Sequence, residues 1–357
     1  MLKIFSDRAY VPPDVEHLWQ LSPFWGLNDL EHQSVQPKRL ARYLKEGSSI
    51  FEMTSLERAD FAVFPAEFQR CNNPARRPLL SEFAQLAARA SKQTIVFTGG
   101  DLEHSLPDFD GYEFHTSLYR SNLRKNCFAM PATIGDIVEE ELGGRLPVLR
   151  KEQVPSVGFC GFAPPLAMSV SKESFKEHTR DLMYAAGLLS GTHVGYAPRA
   201  KVIRTLKRAW RTRTNILLRG RSPFTWAFGI LTQDKSEADP AMQRREYLDN
   251  LLSSPYTLCV RGRGNYSLRF YEALCCGRIP VFVNTDCVLP LENVIDWKNY
   301  CVWIEERDIP HIDAIIAEFH AALSDTQFQE LQLACRKLWL DYLSPESFMR
   351  NLSKNFI

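Results

Sequence analysis

Residues 256–308 read YTLCVRGRGNYSLRFYEALCCGRIPVFVNTDCVLPLENVIDWKNYCVWIEERD. The apolar run Thr257–Val260 has the length and composition of a buried strand. A loop carrying Arg261, Gly262, Arg263 and Gly264 follows it. Ser267 then opens a helical pattern that runs to about Cys276, where Gly277 stops it. A second apolar run, Ile279–Val283, ends at Asn284, Thr285 and Asp286. Strand, glycine loop, helix and strand form the layout of a phosphate-binding βαβ unit, in which a loop delivers an anion to a helix amino terminus. The chemistry of the chain is expected to pass through this unit.

Upstream of it, apolar runs alternate with helical patterns. Leu2–Phe5, Phe61–Phe64, Thr94–Phe97 and Cys127–Met130 read as strands, and Ser81–Ala90 as a helix. Residues 141–156 break the series with Gly143, Gly144, Pro147 and Pro155 among charges, which reads as a domain boundary. A second series follows: strand Ser156–Cys160 ending at Gly161, helix Lys172–Ala186, strand Ile216–Leu218, helix Gln243–Leu252, and then the opening unit. Thr326–Leu340 and Pro345–Leu352 read as terminal helices. The pattern predicts an α/β protein of two domains, 1–150 and 151–340, each with a mostly parallel sheet covered on both faces. The tail 341–357 is expected to pack back on the first domain. Ligands of such sheets sit beyond the carboxyl ends of strands. Those ends here are Thr98–Asp101, Gly161, Arg219–Arg221 and Arg261–Ser267.

Composition narrows the function classes. A chain of 357 residues exceeds one ordinary core, which agrees with two domains. A formal net charge of +1 provides no global attraction to nucleic acid. The amino terminus MLKIFSDRAY meets charge at Asp7 and Arg8 and does not read as a signal or anchor, so a cytoplasmic location is expected. The nine cysteines form no CxxC pair, which fits buried free thiols in a reducing compartment and leaves no zinc site legible. Asp108-Phe109-Asp110 is a DxD, but it lies between Pro107 and Gly111 with no strand leading into it and reads as an acidic loop.

The helix opened by Ser267 presents unpaired N–H groups and a partial positive charge. Arg261, Arg263 and Arg269 surround that end, Gly262 and Gly264 let backbone approach a ligand, and Ser267 can cap the helix or bond a phosphate oxygen. Together they suit a diphosphate. The alternative is a capped helix with solvated arginines. Glu272 can accept hydrogen bonds from a ribose diol, or pair with Arg269 three residues earlier. A rival pattern, Gly262-x-Gly264-x-x-Ser267 followed by Asp286, resembles a degenerate dinucleotide fingerprint of a nicotinamide oxidoreductase, with serine in place of its third glycine. The segment Arg199–Arg221 is basic without an acid. Val202, Ile203, Leu206 and Trp210 form a helical stripe within it, either an ordinary core-facing face or a lipid contact through Arg199–Arg213 at the inner face of a membrane. Trp19, Trp25, His32 and His104 could contact a sugar, or serve the core or surface.

The residues Ser267-x-Arg269-x-x-Glu272-Ala273-Leu274, then Pro280-Val281, Leu289-Pro290 and Ile295-Asp296-Trp297, behind a cysteine-containing strand, resemble the exostosin family of glycosyltransferases. Tyr247-Leu248 and Ser254–Cys259 fit the same resemblance, which covers 151–340 well and the first 150 residues mainly by architecture. It implies a GT-B arrangement: two Rossmann-like domains facing across a cleft, acceptor side first and nucleotide-sugar side second. It also implies an inverting transfer from a nucleoside-diphosphate sugar, usually UDP-linked, to a glycan or lipid-linked saccharide in surface polysaccharide synthesis. No metal or other cofactor is obligatory in that scheme. Arg269, the helix end and Arg261 or Arg263 would stabilise the departing diphosphate, and Glu272 would hold the ribose. Gly161, Arg219 and Arg221 would line the nucleotide. An inverting transfer calls for a base from the first domain. Asp101 comes first, ahead of Asp7 and Glu67, with a turn-residue role as its alternative. A non-catalytic glycan- or nucleotide-sugar-binding module is the remaining alternative class.

Overall fold

The computed structural model describes residues 1–27, 36–68, 76–101, 109–163, 179, 183, 188, 196–219 and 239–356. They form two α/β units. The first comprises Met1–Gly135, Val288–Val294 and Ser344–Ile357, and the second Asp136–Cys287 and Ile295–Leu343.

The first unit is built on a parallel sheet of order β2-β1-β3-β4-β5-β6. In chain order its elements are β1 (Leu2–Phe5), α1 (Gln36–Ile50), β2 (Phe51–Met53), β3 (Phe61–Val63), α2 (Arg77–Arg89), β4 (Gln93–Thr98), β5 (Tyr112–His115) and β6 (Cys127–Ala129). Helix α2 starts with a proline in its first turn, where a missing N–H costs nothing. Its Leu80, Phe83 and Ala87 recur at helical spacing and bury against Ala62, Phe64 and Val96 of the sheet region. The helix Pro345–Arg350 and the turn that follows it return to this unit, where Phe356 stacks among Phe61, Tyr112 and Phe128.

The second unit carries a parallel sheet of order β11-β10-β9-β7-β8. Its elements run α3 (Ile137–Leu142), β7 (Ser156–Phe162), α4 (Ala197–Lys207), β8 (Arg213–Arg219), α5 (Pro240–Ser253), β9 (Tyr256–Cys259), α6 (Leu268–Cys275), β10 (Ile279–Asn284), β11 (Val302–Glu305), α7 (Ile312–Ala322) and α8 (Asp325–Leu338). Strand β9 is buried along its whole length, and β10 along all but Asn284, as continuous apolar runs require in the middle of a covered parallel sheet. Gly277 ends the α6 region at φ +60°, where a Cβ would stand 2.9 Å from the Gln332 carbonyl.

Two expectations change. The glycine- and proline-bearing stretch before Ser156 is not a free boundary, because 136–150 belongs to the second unit. Asp136 caps α3 and takes both arms of Arg336 at 2.8 and 2.7 Å. Arg278 donates to the Pro147 carbonyl, and Leu149 exchanges two hydrogen bonds with Gln332. The segment resembled a linker because its partners lie far along the chain. The lipid contact through Arg199–Arg213 loses its apolar face: Val202, Ile203 and Leu206 of α4 are in the core of the unit, and only Trp210 of that stripe is exposed. The helix expected at Lys172–Ala186 lies almost wholly outside the described residues. The eight described cysteines are buried thiols. Among the described residues no helix is long and apolar enough to cross a membrane.

Candidate functional site

The carboxyl ends of β7, β9 and β10 are where the second unit gathers its polar side chains. After β9 the chain passes through Val260–Tyr266 and enters α6 at Ser267. Ser267 sits in extended backbone at the cap position, but its hydroxyl caps none of the helix N–H groups. The loop before it is tied down. Asn265 is buried and accepts from the Thr285 hydroxyl at 2.8 Å, and its carbonyl takes the Cys287 thiol at 3.1 Å. Arg261, also buried, donates to the Arg263 carbonyl at 2.7 Å, so its guanidinium helps hold the loop's own shape. Arg263 is exposed.

Arg269, in the first turn of α6, reaches back to β7. Its Nη2 donates to the Cys160 carbonyl, and its guanidinium lies over the Phe159 ring at 4.4 Å and the Tyr247 ring at 5.8 Å. Its Nε is buried with no partner among the described residues, and no carboxylate there lies within 4.0 Å of it. Gly161 makes this placement possible: a Cβ at that position would stand 2.7 Å from Arg269 Nη2. A partly desolvated guanidinium balanced only by aromatic faces and a carbonyl favours an incoming anion.

Glu272 lies three residues further along the same helix face and is buried. It does not pair with Arg269. Its Oε2 accepts instead from the Tyr247 hydroxyl of α5. Burial first, and then the Glu272 charge, push the Tyr247 pKa well above its ordinary value, so the phenol stays protonated and donates.

Arg199 completes the group. It occupies the first turn of α4, buried, and donates to the Phe162 carbonyl at 2.9 Å and the Val260 carbonyl at 3.1 Å. It thereby joins the ends of β7 and β9. Its guanidinium lies 5.7 Å from the Phe159 ring, and its Nη2 would be 3.3 Å from a Cβ on Gly262. Sequence reasoning grouped Arg199 with the surrounding cations, and no local pattern distinguishes it from them. Tyr247 was likewise legible only as part of a motif.

Arg219, at the end of β8, is half-satisfied elsewhere. It pairs with Glu246, and although burial works against its charge, hydrogen bonds to Cys160 and Glu246 raise its pKa. Arg221 lies outside the described residues. The structure therefore brings together Gly161, Arg261, Arg263, Ser267, Arg269 and Glu272 and adds Arg199 and Tyr247. Asp286, the ribose ligand of the rival dinucleotide pattern, sits in a left-handed turn at φ +65° after β10.

In the first unit, Asp101 follows β4 in a partly exposed bend with no hydrogen bond from a described residue. Glu67 accepts from the Gly99 amide at 2.8 Å, and Asp7 caps a helical turn through the Ala9 amide at 2.9 Å. Of these three carboxylates Asp101 is the least occupied. Trp19 stacks edge-on against buried Tyr43, and Trp25 lies under Arg8, so both serve packing. His32, His104 and Asp108 lie outside the described residues. Glu113, His115 and Cys127 converge as a buried group with metal-ligating atoms. The Arg124 guanidinium already bonds Glu113 and hydrogen-bonds Cys127, so a cation of the protein's own occupies that position.

The second unit is thus a parallel α/β layer with Arg199, Arg261 and Arg269 gathered at the carboxyl ends of its strands. Residues 180–319, within that unit, match the Exostosin GT47 domain. Exostosin-1 of Drosophila melanogaster is 36% identical over 110 residues, which are 31% of this chain and 13% of that protein. A probable beta-1,4-xylosyltransferase of Arabidopsis thaliana is 34% identical over 70 residues, 20% of this chain and 17% of that protein. A probable glucuronosyltransferase of Oryza sativa subsp. japonica is 36% identical over 70 residues, with the same shares. The matched stretches thus span less than a fifth of each of these curated relatives. Among solved structures, a TarM mutant of S. aureus aligns with TM-score 0.35 and 11% identity over 83% of this chain and 55% of that one. The likeness to exostosin-type glycosyltransferases thus lies in residues 180–319 of the second unit.

Proposed function

We propose that this protein is an inverting glycosyltransferase of GT-B type. It transfers a sugar from a nucleoside-diphosphate sugar, UDP-linked in the first instance, to a hydroxyl of a glycan or lipid-linked saccharide in surface polysaccharide synthesis. The observation that carries the proposal is the Arg269 guanidinium, fixed between the Cys160 carbonyl and the Phe159 ring at the amino end of α6, with no carboxylate partner among the described residues.

As the bond from the anomeric carbon to the diphosphate breaks, negative charge grows on the leaving oxygen. Arg269 and the α6 N–H groups face that charge, and their stabilisation is greatest in the transition state. Arg199 holds the ends of β7 and β9, and with them the loop, in register with the phosphates. Glu272, fixed by Tyr247, accepts from the ribose hydroxyls. The acceptor hydroxyl attacks from the opposite face of the sugar and gives its proton to Asp101. No obligatory metal or cofactor enters this scheme.

Thermal denaturation with UDP, GDP and NADH tests the reading. UDP is expected to raise the transition of the second unit in a concentration-dependent way, while NADH leaves it unchanged. Arg269→Ala is expected to lower donor turnover about 10²–10³-fold, the scale of losing one transition-state donor. A fold that no nucleotide stabilises, or an unchanged turnover in the variant, would sink the proposal.

A further inference from the structure

We infer that Tyr247 is a positioning residue that makes the site select a ribose over a 2′-deoxyribose. The inference rests on the nucleotide-sugar reading and adds a specificity element to it. The side chain sits at the junction of the two groups that reading uses. Its ring packs on the Arg269 guanidinium at 5.8 Å, and its hydroxyl donates to Glu272 Oε2. Arg244 lies over the same ring, also at 5.8 Å. Helix α5 holds the whole side chain in the core of the unit.

The geometry sorts its two ends by function. Glu272 lies three residues beyond Arg269, about 4.5 Å further along the axis of α6 and on the same face. A ligand with its diphosphate at Arg269 therefore brings its next polar group, a sugar diol, towards the carboxylate. A free glutamate would sample several rotamers and accept from a 2′-hydroxyl, a 3′-hydroxyl or water alike. The Tyr247 hydroxyl removes that freedom by fixing one oxygen, so the carboxylate has one orientation for the diol. A ligand lacking the 2′-hydroxyl then leaves a buried charged acceptor short of a partner. That penalty falls on the analogue that lacks the group rather than on the one that has it.

Phenylalanine at this position separates the two roles, because it keeps the ring under Arg269 and removes only the hydroxyl. The experiment is calorimetric titration of the full chain with UDP, 2′-deoxy-UDP and inorganic pyrophosphate. The wild type is expected to bind UDP about 30-fold more tightly than 2′-deoxy-UDP, the scale of a hydrogen bond to a charged group. In Tyr247→Phe the ratio is expected to fall to about threefold or less, with pyrophosphate affinity within about twofold of wild type, since the ring contact with Arg269 remains. Glu272→Asp, which retracts the carboxylate from an intact tyrosine, is expected to lose the same discrimination and serves if the first variant folds poorly. A wild type that binds UDP and 2′-deoxy-UDP alike overturns the inference and leaves the nucleotide reading standing. A Tyr247→Phe variant that weakens all three ligands equally assigns the tyrosine to packing and also overturns it. A wild type that binds none of the three overturns the nucleotide reading itself, and the inference with it.

Discussion

At Gly161 the backbone runs at φ +156° and passes so close to Arg269 that a methyl group would stand 2.7 Å from its Nη2. The obstructing atom is the tip of a long side chain, which can move. The positive φ adds backbone strain, so Gly161→Ala is expected to cost about 1–3 kcal/mol of stability and to displace the guanidinium from the Cys160 carbonyl. The expected result is a donor KM raised about tenfold and a lowered kcat. Equal KM and kcat in the variant would separate Gly161 from the site. The same residue shows what is readable locally. A glycine closing an apolar strand signals close approach, but the group that approaches lies over a hundred residues downstream. Arg199 illustrates the reverse case. Its neighbours Lys201 and Arg204 share its charge, and only the packing of α4 turns this one arginine towards the strand ends.

Elements were legible where one pattern dominated. Strands β9 and β10 are continuous apolar runs, and α6 is bracketed by a serine and a glycine, so all three could be placed from residues alone. Strand β5 could not. Its Glu113 and His115 interrupt any apolar run, yet both are buried, bonding each other at 3.0 Å while Arg124 bonds the carboxylate. Helix α1 hid for another reason: Gly47, Ser48 and Ser49 break its pattern, although a Cβ on Gly47 would collide with Pro23 at 2.3 Å.

Helix α7 carries a pH-sensitive link of the same kind. His320 Nε2 donates to the Glu152 carbonyl at 2.6 Å, and its Nδ1 accepts the Tyr256 hydroxyl of β9 at 2.9 Å. Burial lowers its pKa below the ordinary 6.5, outweighing the Glu152 hydrogen bond, with Lys151 and Asp325 as the nearby charges. The folded chain therefore favours neutral imidazole, while the unfolded chain takes up a proton near 6.5. The stability this contributes is present above that pH and is lost as pH falls through 6.5 towards the folded value. The melting temperature of the second unit is expected to decline from pH 7 to pH 5.5. His320→Gln should start lower and decline less over that interval. An identical slope in the variant would remove His320 as the cause.

At the scale of the whole chain, the units are not consecutive. The chain crosses between them after Gly135, Cys287, Val294 and Leu343, and its last segment, Ser344–Ile357, belongs to the first unit. The alternation of apolar runs and helices defined two α/β layers. It carried no signal for the short excursion Val288–Val294, whose Glu292 pairs with Arg120 and whose Asn293 donates to the Lys354 carbonyl at 2.7 Å. These are pairings between residues far apart in sequence, invisible to any local window.

The returning segment is more than a tail. Phe348 is buried against Phe114, Phe356 packs with Phe61, Tyr112, Phe114 and Phe128, and Arg350 pairs with Glu46 of α1 at 3.0 Å. Losing one such aromatic costs about 3–5 kcal/mol, and a domain is stable by only about 5–15 kcal/mol. A chain ended after Leu343 loses both rings together and should leave the first unit unfolded or melting well below its full-length temperature. The second unit, whose core contains none of these residues, should keep its own transition and its shift with UDP. Calorimetry of the truncated chain reads both effects at once. Phe356→Ala, the milder change, should lower only the first transition. Should truncation instead lower both transitions equally, or abolish the UDP shift, the units would be one cooperative body, and the donor site would owe its stability to the aromatic cluster of the other sheet.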